Sequence, residues 1–278
     1  MSRIIAVAGS TGTVGRPLVA RLAAAGATVR ALTRRPDDRP APAGAQWVDA
    51  ASPSAFDGAH AAFLLSPPGL ADQEAVLAPM IESARAAGVR KVVLMTAMGV
   101  DADESLPFRR AERRLEASGL DWAVLRPNWF DQNFASFWLH DIAATGSIRV
   151  PAGPAATSFV DARDIADCAA VLLSRDGTDG AFVLTGPRAL TYTQAAAVLS
   201  EAAGRPIGYV DADPAAFEAG LRAAGLPADY AGLLGALFGV VRAGHAAGVT
   251  DDVRRITSRA PRSLETYAAD HRAVWAAA

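Results

Sequence analysis

Residues 9–15 read Gly-Ser-Thr-Gly-Thr-Val-Gly, directly after the apolar run Ile4-Ile5-Ala6-Val7-Ala8. This order predicts a strand, a tight glycine turn and a helix from Val14 to Ala25, with Gly26 as its C-cap and a second strand over 28–33. Such a turn brings bare backbone N–H groups up to a helix N-terminus, where a diphosphate binds. Dinucleotide binding is therefore the first expectation.

The rest of the chain sustains the pattern. Expected strands at 45–49, 61–65, 91–95, 122–125 and 181–184 alternate with helices at about 71–87 and 108–117. That alternation is the mark of an α/β fold, a doubly wound parallel sheet covered on both faces. Ser66-Pro67-Pro68-Gly69 ends the fourth strand, Gly88 caps the following helix, and Pro79 is expected to kink it. In the next helix Arg109, Arg113, Arg114 and Glu116 read as a solvated face. Two stretches break the alternation: 127–160 is aromatic and then loop-like, and 187–278 is mostly helical. The expected organisation is a dinucleotide-binding domain over 1–126, completed by about 160–186. Residues 127–159 and 187–278 then form a small substrate lobe over the C-terminal ends of the strands.

A chain of 278 residues is long enough for both parts. Its net charge of −2 gives no electrostatic case for nucleic acid or an anionic membrane. No apolar run is long enough to span a bilayer, and no signal peptide is recognisable, so a cytoplasmic protein is expected. The single cysteine, Cys168, rules out an internal disulfide framework and a Cys-based metal cluster, and reads as a small core residue. No metal site is expected.

The end of the second strand bears on cofactor choice. Where an NAD-binding fold places an acid for the ribose 2′-hydroxyl, this chain has Thr33-Arg34-Arg35-Pro36. A carboxylate repels a 2′-phosphate, whereas a guanidinium holds one by charge-assisted hydrogen bonds. NADP(H) is therefore favoured over NAD(H), with Arg34 as main contact and Thr33 or Arg35 assisting. Asp37, the nearest acid, lies beyond the expected point.

Several blocks together resemble the NmrA-like branch of the atypical short-chain dehydrogenase/reductases. They are the turn from Gly9 to Gly15, Ala86-Ala-Gly-Val-Arg-Lys-Val-Val93, Leu115-Glu-Ala-Ser-Gly-Leu120, Leu125-Arg-Pro-Asn-Trp-Phe-Asp-Gln-Asn133 and Ser158-Phe-Val-Asp-Ala-Arg-Asp-Ile165. Phe63-Leu-Leu-Ser-Pro-Pro68 with Asp72-Gln73 looks closest to the ergot-alkaloid-type reductases. The resemblance covers essentially the whole chain and implies a Rossmann-like sheet of about seven strands. By position it carries cofactor contacts onto Gly9, Thr11, Gly12, Thr13, Val14, Gly15, Arg34, Asp49, Leu65, Ser66, Pro67, Thr96, Pro127 and Asn128. It places Asp49 near the adenine, and Ser66 and Pro67 beside the nicotinamide ribose. Asp161 and Asp164 read as ties between lobe and sheet rather than as chemical groups.

What is missing constrains the mechanism. Ordinary short-chain reductases use Tyr-x-x-x-Lys, the tyrosine donating a proton and the lysine lowering its pKa. Here the only lysine is Lys91, preceded four residues earlier by Ala87, and Tyr192, Tyr209, Tyr230 and Tyr267 lie outside the relevant helix. Three readings follow. The chain reduces a substrate that needs hydride but little acid catalysis, such as an iminium ion or a quinone. Or another group protonates or polarises a carbonyl: Thr96 at the end of the fifth strand, with Asp131 and His140 as further candidates. Or it is a non-enzymatic NADP(H) redox sensor acting through a protein partner, a role known within the NmrA-like group.

Trp129, Phe130, Phe134, Phe137 and Trp138 follow the sixth strand at the cleft edge. Trp129, Phe130, Phe134 and Trp138 are the candidate walls of a pocket for a flat, medium-sized organic substrate. Residues 130, 134, 137 and 138 equally fit the helical spacing of plain lobe core. A later apolar stretch, Tyr230–Val241, either closes that pocket or buries against a second subunit, which leaves a homodimer open. At 190–194, Leu-Thr-Tyr-Thr-Gln reads as a helix start capped by Thr191 or Thr193, with Tyr192 more readily core than cleft.

Overall fold

The computed structural model describes residues 3–36 and 40–276, so Asp37 lies outside the described residues. β1 (Ile4–Val7), β2 (Thr28–Thr33), β3 (Ala45–Asp49), β4 (Ala61–Leu65), β5 (Lys91–Met95) and β6 (Asp121–Pro127) join a seventh strand, Gly180–Leu184, in one sheet. Its order is β3-β2-β1-β4-β5-β6 and then the seventh strand, and every pairing is parallel. The chain winds outward from β1 in one direction, returns to β4 and winds in the other. The reversal between β1 and β4 opens the crevice where such sheets take ligands.

The central strands are largely apolar because both faces are covered. Alternation along β4 sends Ala61 and Phe63 to one core and Ala62 and Leu64 to the other. On the first face α1 (Gly15–Ala24) and the helix Ala162–Leu173 contribute Leu18, Leu22, Ile165 and Leu172. On the second, α2 (Glu74–Ala86) and α3 (Pro107–Glu116) contribute Leu77, Ile81, Ala111 and Leu115. α2 continues through Pro79 without interruption. Cys168 is buried in the first core, and burial pushes its thiol pKa up.

The lobe has its own core, built from Phe134, Trp138, Ile142, Tyr192, Leu199, Phe238, Tyr267 and Trp275. Its framework is two short strand pairs, Ser147–Val150 with Gly208–Asp211 and Ala156–Thr157 with Leu190–Thr191, and the helices around them. Of the two caps the sequence offers, Thr191 rather than Thr193 starts the helix Tyr192–Ala203, through a capping box with Gln194. Residues 252–257 are expected in the lobe, with the rest of 187–278. The helix Asp252–Thr257 leaves the lobe and places Val253 and Ile256 in the sheet core beside the helix Ala162–Leu173.

Sheet and lobe are tied by ions. Asp161 caps the helix Ala162–Leu173 by accepting from the Arg163 amide (2.8 Å), and it pairs with the Arg163 side chain (2.6 Å). Arg163 also reaches Asp270 (2.7 Å). Asp164 accepts from the Arg262 amide (2.7 Å) and pairs with the Arg262 guanidinium. Arg163 and Asp164 thus link this helix to residues 262–270, and Asp161 holds Arg163 in place.

Candidate dinucleotide and substrate site

The glycine turn follows β1 directly. Gly9 has φ +60°, a conformation open to glycine, and its carbonyl accepts from the Gly12 amide (2.9 Å). The Gly12 carbonyl in turn accepts from the Arg16 amide (3.0 Å), which starts α1. A Cβ on Gly15 would stand 2.1 Å from the Gly9 carbonyl oxygen, so only glycine lets helix and turn pack this closely. The buried Ser10 hydroxyl donates to the Leu32 carbonyl (2.7 Å) and pins the turn to β2. Gly9, Thr11, Gly12 and Thr13 are exposed, whereas Val14 and Gly15 are buried beneath them. The turn is thus an open backbone surface at a helix N-terminus, whose first N–H groups lack intrahelical partners.

Strand register sets other candidates in a row. Thr33 pairs with Asp49, Leu65 with Met95 and Met95 with Leu125. Gly9 meets the same row, because a Cβ on it would lie 3.0 Å from Leu65 Cδ1. From β2 to β6 this line covers four strand spacings, about 19 Å. At one end the Thr33 hydroxyl accepts from the Arg35 amide (3.2 Å), and Arg34 is exposed. Asp49 accepts from the Ala51 amide (2.9 Å). At the other end Ser66 and Pro67 are half-buried past β4, and Thr96, Pro127 and Asn128 are buried past β5 and at the end of β6. The Asn128 side chain is fully engaged. Its amide donates to Ser158 Oγ (2.8 Å) and the Ala246 carbonyl (2.8 Å), and its Oδ1 accepts from the Trp129 amide (2.9 Å).

Thr96 stands in a buried ionic cluster that the sequence reading missed. Its Oγ1 donates to Glu112 Oε1 (2.7 Å). Glu112, on α3, is 0 % exposed and accepts from Arg109 Nη1 (2.7 Å), Arg126 Nε (3.0 Å) and Arg126 Nη2 (2.8 Å). Arg126 also reaches Asp101 (2.6 Å). This corrects the reading of α3: Arg113 and Arg114 are exposed, but Arg109 is buried against Glu112. The signal available was Arg126, a lone charge inside the apolar run of β6 that requires a buried acid.

The aromatic candidates divide. Phe134 and Trp138 are buried in the lobe core, their rings 4.8 Å apart, edge to face. Trp129 and Phe130 are half-buried, and Trp129 packs on Phe238 (4.7 Å) and Trp138 (5.9 Å). Phe137 is exposed. Tyr192 is wholly buried among these rings, as its core reading holds. His140 is exposed on the helix Leu139–Thr145. Asp131 is 0 % exposed, and neither carboxyl oxygen has a hydrogen-bond partner among the described residues. Burial pushes its pKa well above the carboxylate range, and the nearby Asp161 and Asp164 add to the shift.

A twisted parallel sheet with a glycine cradle at its switch point defines a dinucleotide-binding protein. A family model described as NAD(P)H-binding matches residues 9–176. The NAD(P)H azoreductase of Xenophilus azovorans is 31% identical over 99% of this chain and 100% of its own length. The agroclavine dehydrogenase of Claviceps fusiformis is 30% identical over 77% of this chain and 75% of its own. Among solved structures, NmrA, a negative transcriptional regulator in complex with NADP, has the same fold: TM-score 0.79 at 20% identity, covering 98% of this chain and 96% of that one. The chain belongs to the NAD(P)H-binding family. It is an NAD(P)H-dependent oxidoreductase by class. No helix among the described residues is long and apolar enough to cross a membrane.

Proposed function

We propose that this protein is an NADP(H)-preferring reductase that delivers hydride to a flat, medium-sized organic substrate without a Tyr–Lys pair. The substrate classes are a quinone, an iminium ion or an activated carbonyl. The observation that carries the reading is the position of Lys91. It is the first residue of β5, buried and paired with Asp179, with its ammonium also donating to the Arg175 carbonyl (3.1 Å). Five residues of strand, about 16 Å, separate it from Thr96 at the ligand-binding end.

The residues present fit the cofactor. The turn at 9–13, exposed except at Ser10 and packed as closely as Gly15 allows, offers amides to a diphosphate. Arg34 is exposed where a 2′-phosphate would lie. When bound, the nicotinamide supplies a hydride. The chain supplies orientation along the row from Thr33 to Leu125, and exclusion of water by Trp129 and Phe130. The azoreductase and agroclavine dehydrogenase names among the relatives favour reduction over sensing.

The test is NADPH consumption, followed at its absorbance band, with a naphthoquinone, a cyclic iminium and an activated ketone. Turnover with one of the three supports the reading. Tight NADPH binding without oxidation across the panel, together with capture of a protein partner, would replace it with a redox sensor.

A further inference from the structure

The cluster around Thr96 decides what that hydroxyl can do. A threonine hydroxyl has one proton and two lone pairs. Its proton is directed to Glu112 Oε1, and both Glu112 oxygens also accept from guanidinium groups of Arg109 and Arg126. Four donors thus converge on one buried carboxylate. Charge-assisted bonds of this kind are the strong ones, so the hydroxyl rotor is locked. The lock is set by the fold. β5 directs alternate residues to the α3 face, Val92 and Leu94 before Thr96, and β6 does the same with Val124 before Arg126. Thr96, Arg126 and Glu112 therefore meet on one side of the sheet, at its ligand-binding end.

We propose that Glu112 is a positioning residue that fixes Thr96 as a hydrogen-bond acceptor, so that Thr96 selects a redox partner bringing its own N–H and supplies no proton itself. This inference rests on the reductase reading and narrows it. The N–H has two sources: the carboxamide of the nicotinamide ring, or a substrate nitrogen in a protonated imine. In the second case the reaction balances without a protein acid. The iminium carbon gains the hydride, the C=N π pair becomes the nitrogen lone pair, the nitrogen keeps its proton, and NADPH becomes NADP+. A ketone in the same place would meet the lone pairs of Thr96 with its own oxygen and gain no bond.

Two paired comparisons separate the sources. In the first, affinity for NADPH is compared with that for its 3-acetylpyridine analogue, whose acetyl group has no N–H. In the second, kcat/KM with NADPH is compared for protonated 3,4-dihydroisoquinoline and its N-methyl iminium. Each ratio is measured in the wild type, Thr96→Ser, Thr96→Val and Glu112→Gln, with Tm recorded for all. In one comparison the wild type favours the N–H member, by up to about ten-fold for one hydrogen bond. Thr96→Ser retains the preference, Thr96→Val abolishes it, and Glu112→Gln reduces it in the wild-type background but not in Thr96→Val. A purely structural role lowers both members of a pair together and leaves the ratios unchanged. Both ratios unchanged in Thr96→Val overturns the proposal. If neither iminium is reduced, iminium reduction fails as a substrate class, and the cofactor comparison, which needs only binding, decides the role of Thr96.

Discussion

The Gly9 carbonyl oxygen occupies the space that a Cβ on Gly15 would need, 2.1 Å away. Gly15→Ala therefore pushes α1 off the turn. Such overpacking costs about 1–3 kcal/mol. The expected outcome is a lowered Tm together with NADPH affinity reduced at least about ten-fold, because the same shift disorders the amides at the helix N-terminus. Calorimetric titration of folded variant checks it. Unchanged affinity would mean that the diphosphate does not bind at this turn.

Arg34 is exposed beyond β2, beside the turn closed by Thr33 and Arg35. Arg34→Ala should weaken NADPH binding by roughly 10- to 100-fold, the range for a hydrogen bond to a charged group, and leave NADH binding nearly unchanged. Equal losses for both cofactors would remove the assignment of a 2′-phosphate contact.

Asp131 links stability to pH with an unusual sign. Its folded pKa is raised by burial, and Asp161, Asp164 and Glu265 raise it further while Arg163 opposes. The unfolded carboxyl titrates near 3.9. Above that pH the unfolded chain has released a proton that the folded chain still holds, so Asp131 lowers stability as pH rises, until its folded pKa is reached. Each pH unit in that window costs about 1.4 kcal/mol. Asp131→Asn should match the wild type near pH 4 and exceed its Tm increasingly as the pH rises from there. A constant difference across that range would show that the carboxyl is not the titrating group.

Trp129 is half-buried against Phe238 and adjoins Asn128 at the end of β6. Trp129→Ala should raise KM for a reducible substrate about ten-fold, the worth of a good aromatic contact, with NADPH affinity unchanged. Parallel change in both quantities would make Trp129 packing alone.

Most of the sheet is legible in the sequence because its signals are local. Apolar runs of strand length, glycines past helix ends and the glycine turn each act within a few residues, and β2 to β5 fall where those signals put them. The site is less legible because it is assembled from remote contacts. Glu112 lies 14 residues from Arg126, and α3 carries enough charge that a buried ion pair looks like solvated surface. The aromatic run misleads for a related reason. Its helical spacing runs through a 3₁₀ turn, Asp131–Ala135, and only then a helix, Leu139–Thr145. Phe134 and Trp138 therefore share a core while Phe137 points to solvent.

The return of Asp252–Thr257 to the sheet bears on how this chain becomes a protein at all. Val253 and Ile256 come late in translation, yet they finish the interior that the earliest strands began. A nascent chain on the ribosome cannot complete that interior before the helix Asp252–Thr257 has emerged. Truncation after the seventh strand would strip two side chains from that interior and leave its apolar surface open to water.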